Sequence, residues 1–325
     1  MNILLYGPVA RRGVDLLRDH FGDRIGLIEV EDDDGPELVA RKFATADVIV
    51  GVGYDKSSPP ASKARLLQLP NSGLDDLDIA AVPDGCIVCN CFEHETGIGE
   101  YVMAGLLHWS VGLAAASARF KSGDWSESPR LFADFRPELA GKTVATVGYG
   151  NIGRAVAARA RAFGMAVHAV TRRPRDFEPA PDWLGGIDQL DEMLPNADFV
   201  VVCCPLTEAT TGIIDARRLG LMKRSGVLIN VGRGPLVDED ALFAACRDRA
   251  IAGAVIDVWY GYATVGDEDV PPSRHPFQSL DNVVMTPHLS GWTEGLMPRR
   301  FAVIIDNIER LADGRPLRHQ VHPAI

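Results

Sequence analysis

The run Thr143-Val144-Ala145-Thr146-Val147-Gly148-Tyr149-Gly150-Asn151-Ile152-Gly153, followed by an alanine-rich stretch to Phe163, constrains this chain more than any other feature. A β-rich run that ends in G-x-G-x-x-G and continues into a helical pattern has few folds open to it. Gly148 permits a tight turn, Gly150 lets backbone approach a ligand, and Gly153 lets the helix pack on the strand. The start of the helix then turns N–H groups and a positive dipole end toward phosphate oxygens. Gly148, Gly150, Asn151, Ile152 and Gly153 are therefore candidate contacts to the pyrophosphate of a dinucleotide.

Short apolar runs alternate with helical patterns around this turn, which predicts an α/β chain with mainly parallel sheets. Residues 3–6, 48–52 and 87–89 read as strands of a first unit. Residues 143–147, 166–170, 199–203, 227–230, 254–258 and 283–285 read as strands of a second, with 283–285 the last. Helical patterns at 152–163, 216–222 and 239–247 lie between them, and 293–311 is patterned as a helix that returns to the first unit. The 325 residues suit two domains. Residues 101–289 read as the dinucleotide-binding domain, and 1–100 with 290–325 as a discontinuous substrate-binding domain.

A net charge of -11 offers no general basic surface, so a small molecule is expected as partner rather than nucleic acid or membrane. The uncharged stretch 101–118 carries His108, Ser110 and Ser117 and reads as a buried or subunit-facing helix. Met1 to Gly7 reads as a strand and turn rather than a signal peptide. With Cys86, Cys89, Cys91, Cys203, Cys204 and Cys246 taken as free thiols, a cytoplasmic protein is expected. Cys86, Cys89, Cys91 and His94 have the outline of a zinc cluster. Alternation along a strand turns Cys86 away from the other two, however, and no metal is expected.

An NAD-preferring site usually carries an acid about 20 residues beyond the glycine turn. Here that place reads Val170-Thr171-Arg172-Arg173-Pro174, and residues 154–175 hold six arginines and no acid. Two guanidiniums are suited to grip a ribose phosphate, so NADP is expected in preference to NAD, with Thr171, Arg172 and Arg173 at the adenosine ribose.

Several further segments resemble the D-isomer-specific 2-hydroxyacid dehydrogenase family. They are Pro205-Leu206-Thr207 with Thr211, the run from Asn230 through Val231, Gly232 and Arg233 to Asp238, Ile256-Asp257-Val258-Trp259, and Thr286-Pro287-His288. Leu69 to Asp75 resembles the family's substrate-carboxylate loop, and Asn90 to Glu100 the stretch into its interdomain helix. The resemblance implies two Rossmann-like domains, an active site in the cleft and a homodimer. It implies that His288 is the acid/base, that Arg233 binds the substrate carboxylate and polarises its carbonyl, and that Ser72, Gly73 and Leu74 add N–H donors. Pro205, Thr211, Val231, Arg233 and Asp257 would line the cofactor, Asp257 at the nicotinamide carboxamide.

The chain departs from the family after Trp259, where a glutamate usually raises the pKa of the histidine. Tyr262 occupies that place here. Either Tyr262 orients a His288 of lower pKa, or Glu268, Glu93 or Glu95 substitutes. The segment Phe92 to Thr96 also departs from the usual small loop, and Trp292 is a candidate pocket wall or subunit contact. The function implied is NADPH-preferring reduction of a small 2-oxo acid such as glyoxylate or hydroxypyruvate. The alternatives are a family member with an unusual substrate, or a nicotinamide-dependent sensor or corepressor with little catalysis.

Overall fold

A computed structural model describes residues 1–264 and 266–322; Val265 and the end of the expected first domain, 323–325, lie outside it. Its strands are β1 (Asn2–Tyr6), β2 (Gly26–Glu29), β3 (Val48–Gly51), β4 (Leu66–Gln68), β5 (Ile87–Cys89), β6 (Thr143–Val147), β7 (Ala166–Thr171), β8 (Trp183–Gly186), β9 (Phe199–Val202), β10 (Val227–Asn230), β11 (Gly253–Ile256), β12 (Val283–Met285) and β13 (Gln320–His322). The chain divides into two compact α/β units, one of Met1–Glu93 with Glu294–Ile325 and one of His94–Thr293.

The first unit holds a sheet in the order β13-β5-β4-β3-β1-β2, parallel except for β13. Its strands are apolar on both faces because helices cover both. Ile3, Leu5, Val48 and Val50 pack with Leu17 and Phe21 of helix Val14–Phe21 and with Phe301, Ile304 and Ile308 of helix Leu296–Ala312. The alternate residues Leu4, Ile49, Leu67 and Val88 pack on the other side with Phe43. Cys86 belongs to that second layer and Cys89 to the first, so the two thiols sit on opposite faces.

A buried amide network ties the returning helix to this sheet. Asn307 is fully buried, donates to Gln68 Oε1 (2.7 Å) and the Arg318 carbonyl (3.1 Å), and accepts from Arg318 N–H (2.7 Å). Gln68, also fully buried, donates to the carbonyls of Leu69, Cys89 and Asn90.

The second unit holds seven parallel strands in the order β12-β11-β10-β9-β6-β7-β8. Helices Glu95–Val111 and Asn151–Ala162 cover one face through Ile98, Val102, Leu106, Val156 and Ala160. Leu190, Leu219 and Leu242 belong to the core on the other. The order reverses between β6 and β9, the crevice at which doubly wound sheets bind ligands.

The structure adds to two of these expectations and corrects a third. The strand β12 is the last of the second unit, as expected, and an unexpected β13 adds an antiparallel edge to the first sheet. The stretch 101–118 is not one helix, because Gly112 adopts φ 62 and closes helix Glu95–Val111 before a second helix, Leu113–Lys121, begins. The two compact units part at Glu93/His94 and at Thr293/Glu294, which places the whole of helix Glu95–Val111 in the second. Among the described residues no single helix is long and apolar enough to cross a membrane.

Replacing Asn307 by Leu strands the Arg318 N–H and the Gln68 amide oxygen. We expect a loss of about 2–4 kcal/mol from the first unit, read as an earlier thermal transition; an unmoved transition would remove this network from the account of its stability.

Candidate active site

The glycine turn leaves β6 and enters helix Asn151–Ala162. Gly148 has φ 105, and a Cβ there would stand 2.8 Å from the Cys204 backbone nitrogen. A Cβ on Gly153 would stand 2.4 Å from the Gly148 carbonyl oxygen. Neither position tolerates a side chain, so turn, helix and the end of β9 approach as closely as backbone allows. A Cβ on Gly150 would meet nothing within 4 Å, and no side chain caps the helix that starts at Asn151. Open space before uncapped N–H groups is what a pyrophosphate requires, and a dinucleotide fits these residues.

β7 ends at Thr171, and the exposed Arg172 and Arg173 follow directly. The loop beyond them is fastened by a residue of the glycine motif whose role the motif does not reveal. Tyr149 is buried, donates from its hydroxyl to the Pro179 carbonyl (2.8 Å) and meets the Phe177 ring edge-on at 5.2 Å. The Arg175 guanidinium lies 5.1 Å from the centre of that Phe177 ring. After β9, Thr210 holds the Pro205–Thr211 turn, accepting from Thr207 N–H (2.8 Å) and donating to the Pro205 carbonyl (2.8 Å). Thr211 donates to the Thr207 carbonyl (2.9 Å).

Arg233 lies just past β10, between the buried Val231 and the buried Gly234. A Cβ on Gly234 would stand 2.2 Å from the Trp259 carbonyl oxygen, which draws the Arg233 loop against the end of β11. Asn230 braces the loop, donating to the Arg233 carbonyl (3.0 Å) and accepting from Gly232 N–H (3.2 Å). The Arg233 guanidinium donates to the Gly232 carbonyl at 2.9 Å.

Asp257 follows β11 and is fully buried. Both oxygens are engaged by the turn after β12: Oδ1 accepts from Thr286 Oγ1 (2.6 Å) and Leu289 N–H (2.9 Å), and Oδ2 from Ser290 N–H (2.9 Å). Any bond to a nicotinamide carboxamide would be additional to these three. The turn they hold presents His288, whose φ of 58 is rare for a residue with a side chain.

His288 is exposed, and its ring lies 5.6 Å from the Tyr262 ring, tilted by 50°. Desolvation by the surrounding protein holds its pKa below the ordinary value; Asp257 opposes the shift and Arg233 reinforces it. The Tyr262 hydroxyl accepts from Trp259 N–H at 3.0 Å, and the Trp259 indole donates to the Thr286 carbonyl at 2.8 Å. Glu268 accepts from Gly266 N–H within its own loop (3.1 Å). Glu95 lies in the first turn of its helix. Glu93 has φ 72 and its carbonyl accepts from the Arg299 guanidinium. Trp292 is half exposed.

In the first unit, Asn90 donates to the Ser72 carbonyl (3.0 Å) and Asn71 to the Gly73 carbonyl (3.1 Å). Because a trans peptide sets C=O and N–H on opposite sides, both bonds turn the Gly73 and Leu74 N–H groups away from the asparagines. These asparagines hold the Ser72–Leu74 loop within the first unit, a role that, like those of Tyr149, Thr286 and Tyr101 in the second, the motifs do not reveal. The signal for Asn71 and Asn90 lay in plain sight, beside the loop and at the end of β5.

Residues 103–290 match the family described as D-isomer specific 2-hydroxyacid dehydrogenase, NAD binding domain. A glyoxylate reductase from Thermococcus onnurineus is 30% identical over 326 residues, 96% of this chain and 93% of that protein. A D-3-phosphoglycerate dehydrogenase from Methanocaldococcus jannaschii is 29% identical over 97% of this chain, which spans only 58% of that longer protein. A solved structure of a family member from Xanthobacter autotrophicus Py2, in complex with NADPH and MES, superposes with a TM-score of 0.75 at 25% identity, covering 99% of this chain and 98% of that one. The chain belongs to the D-isomer specific 2-hydroxyacid dehydrogenases, a family of nicotinamide-dependent oxidoreductases, and its residues 103–290 are the family's dinucleotide-binding domain.

Proposed function

We propose that this chain reduces a small 2-oxo acid, glyoxylate or hydroxypyruvate being the first to try, with NADPH preferred over NADH. The observation that carries the reading is the sequence of residues at the carboxyl ends of three neighbouring parallel strands: Arg233 past β10, Asp257 past β11 and His288 past β12. Ligands of such sheets gather at that edge. The bound nicotinamide would supply the hydride. Arg233 would hold the substrate carboxylate and polarise the carbonyl beside it, while His288 gives its proton to the carbonyl oxygen. Ser72, Gly73 and Leu74 would offer further N–H donors to the carboxylate.

Tyr262 is read as the neutral partner of His288, replacing charge by orientation. The preference for NADPH rests on Arg172 and Arg173 at the end of β7, where no carboxylate stands to repel a ribose phosphate. Val231, Pro205 and Thr211 are assigned to the cofactor on family resemblance, as is a further bond from Asp257. The protein is read as a cytoplasmic homodimer without nucleic-acid or membrane partners. Its net charge of -11 and six free cysteines support the setting. For the dimer the support is a run of exposed apolar side chains, Leu113, Phe120, Trp125, Leu131, Phe132 and Phe135, within one short segment.

The parent should show a lower KM for NADPH than for NADH. Changing Arg172 and Arg173 together to Ala should raise the NADPH value by about 10- to 100-fold with little effect on NADH; a parent that favours NADH sinks the preference. Reduction consumes the His288 proton, so kcat/KM for the oxo acid should fall as pH rises through a pKa below the ordinary 6.5. Tyr262→Glu should move that fall to higher pH, and an unmoved profile would show that position 262 does not act on His288. Changing Phe132 and Phe135 to Ser should weaken self-association by about a hundredfold or more, measured by sedimentation, and a dimer of unchanged affinity would place the interface elsewhere.

A further inference from the structure

The turn that presents His288 is held by a chain of hydrogen bonds that begins on another element. Tyr101 lies in the second turn of helix Glu95–Val111, and its hydroxyl is 2.6 Å from Thr286 Oγ1. Thr286 Oγ1 in turn donates to Asp257 Oδ1 at 2.6 Å. A threonine hydroxyl has one proton, and here it goes to the carboxylate, so the bond from Tyr101 can only be made with the phenol donating. Burial pushes the Tyr101 pKa up to about 12, which keeps that donor proton in place at working pH.

Each link has its own task. The Tyr101 phenol fixes the Thr286 hydroxyl rotor, which would otherwise be free to swing away from Asp257. Thr286 then completes the set of three donors that compensates a fully buried carboxylate. The two backbone donors, Leu289 and Ser290 N–H, immediately follow His288 and hold it at φ 58. A residue with a side chain in that conformation costs about 1–3 kcal/mol and persists only where its surroundings over-determine it. The three bonds to Asp257 and the proline at 287 are that over-determination.

We propose that Tyr101 is a positioning residue for His288, acting through Thr286 and Asp257 to fix the strained turn from which the imidazole meets the substrate. This rests on the reading of His288 as the acid/base. Tyr101 does not touch the reacting atoms in this scheme; it sets the angle and distance of the group that does, and small displacements of such a group are costly.

The test is a double-mutant cycle on full-length protein, with glyoxylate, hydroxypyruvate and other short 2-oxo acids as substrates. Tyr101→Phe keeps the ring and removes the donor. It should lower kcat by about fivefold while leaving KM for the nicotinamide cofactor and the thermal midpoint nearly unchanged. Thr286→Val should lower kcat further, and adding Tyr101→Phe to it should cost nothing more, because both act through one chain. Retained kcat in Tyr101→Phe, or losses that multiply in the double variant, would overturn the inference. His288→Ala separates the levels: if it abolishes turnover while Tyr101→Phe does nothing, only the positioning role fails. If His288→Ala retains full turnover, the acid/base reading fails and the positioning role with it.

Discussion

Backbone packed against backbone at the Gly148 turn is the constraint on which the second unit depends. A methyl group on Gly148 or Gly153 would collide with main-chain atoms of Cys204 or of Gly148 itself. The closeness they permit sets the first turn of helix Asn151–Ala162 directly over the reversal between β6 and β9. The helix dipole and its leading N–H groups therefore open onto the crevice, with Gly150 leaving room in front of them. Once that edge of the sheet is fixed, the residues past β10, β11 and β12 share it by parallel pairing. The dinucleotide turn and the chemical groups thus come to one edge through sheet topology, without any sequence proximity.

The parts legible in the sequence were those in which one residue type answers one local requirement. The glycine motif could be read because each glycine solves a separate steric problem. The central strands β6, β9, β10 and β11 could be read because strands buried on both faces become unbroken apolar runs, as in Phe199–Val202. Strands β2, β4, β8 and β13 lacked that signal. Leu66–Gln68 has only three residues and ends in a buried glutamine, and Gln320–His322 has one apolar residue. The break at Gly112 was hidden because alanine, serine and leucine continue the helical pattern on both sides. Arg233, Asp257 and His288 were visible through resemblance, and the residues that hold them were not. Tyr101 and Thr286 meet across 185 positions, a pairing no local pattern announces.

Both units bury polar groups and compensate them with hydrogen bonds. In the first, the neutral amides of Gln68 and Asn307 satisfy strand ends and the returning tail, and the buried Arg300 guanidinium donates to the Phe92 carbonyl. The second buries a carboxylate, which is far more costly unless donors surround it. A charged acceptor is worth that cost where geometry must be held against strain, because bonds to a charged group are about twice as strong as neutral ones. His288 at φ 58 is such a place.

The buried carboxylate bears on how His288, without a glutamate beside it, would serve as the proposed acid/base. A carboxylate beside an imidazole both orients the ring and stabilises its charged form. In this chain the tasks are separated. Asp257 is spent on the backbone of the turn, and the tilted phenol of Tyr262 lies beside the ring without adding a charge. The imidazole is left less basic, since desolvation and Arg233 outweigh the attraction of Asp257. A weaker base holds its proton less tightly and is a stronger acid once protonated, so the arrangement favours proton donation, the direction that reduction of a carbonyl requires, at the expense of the protonated fraction near neutral pH.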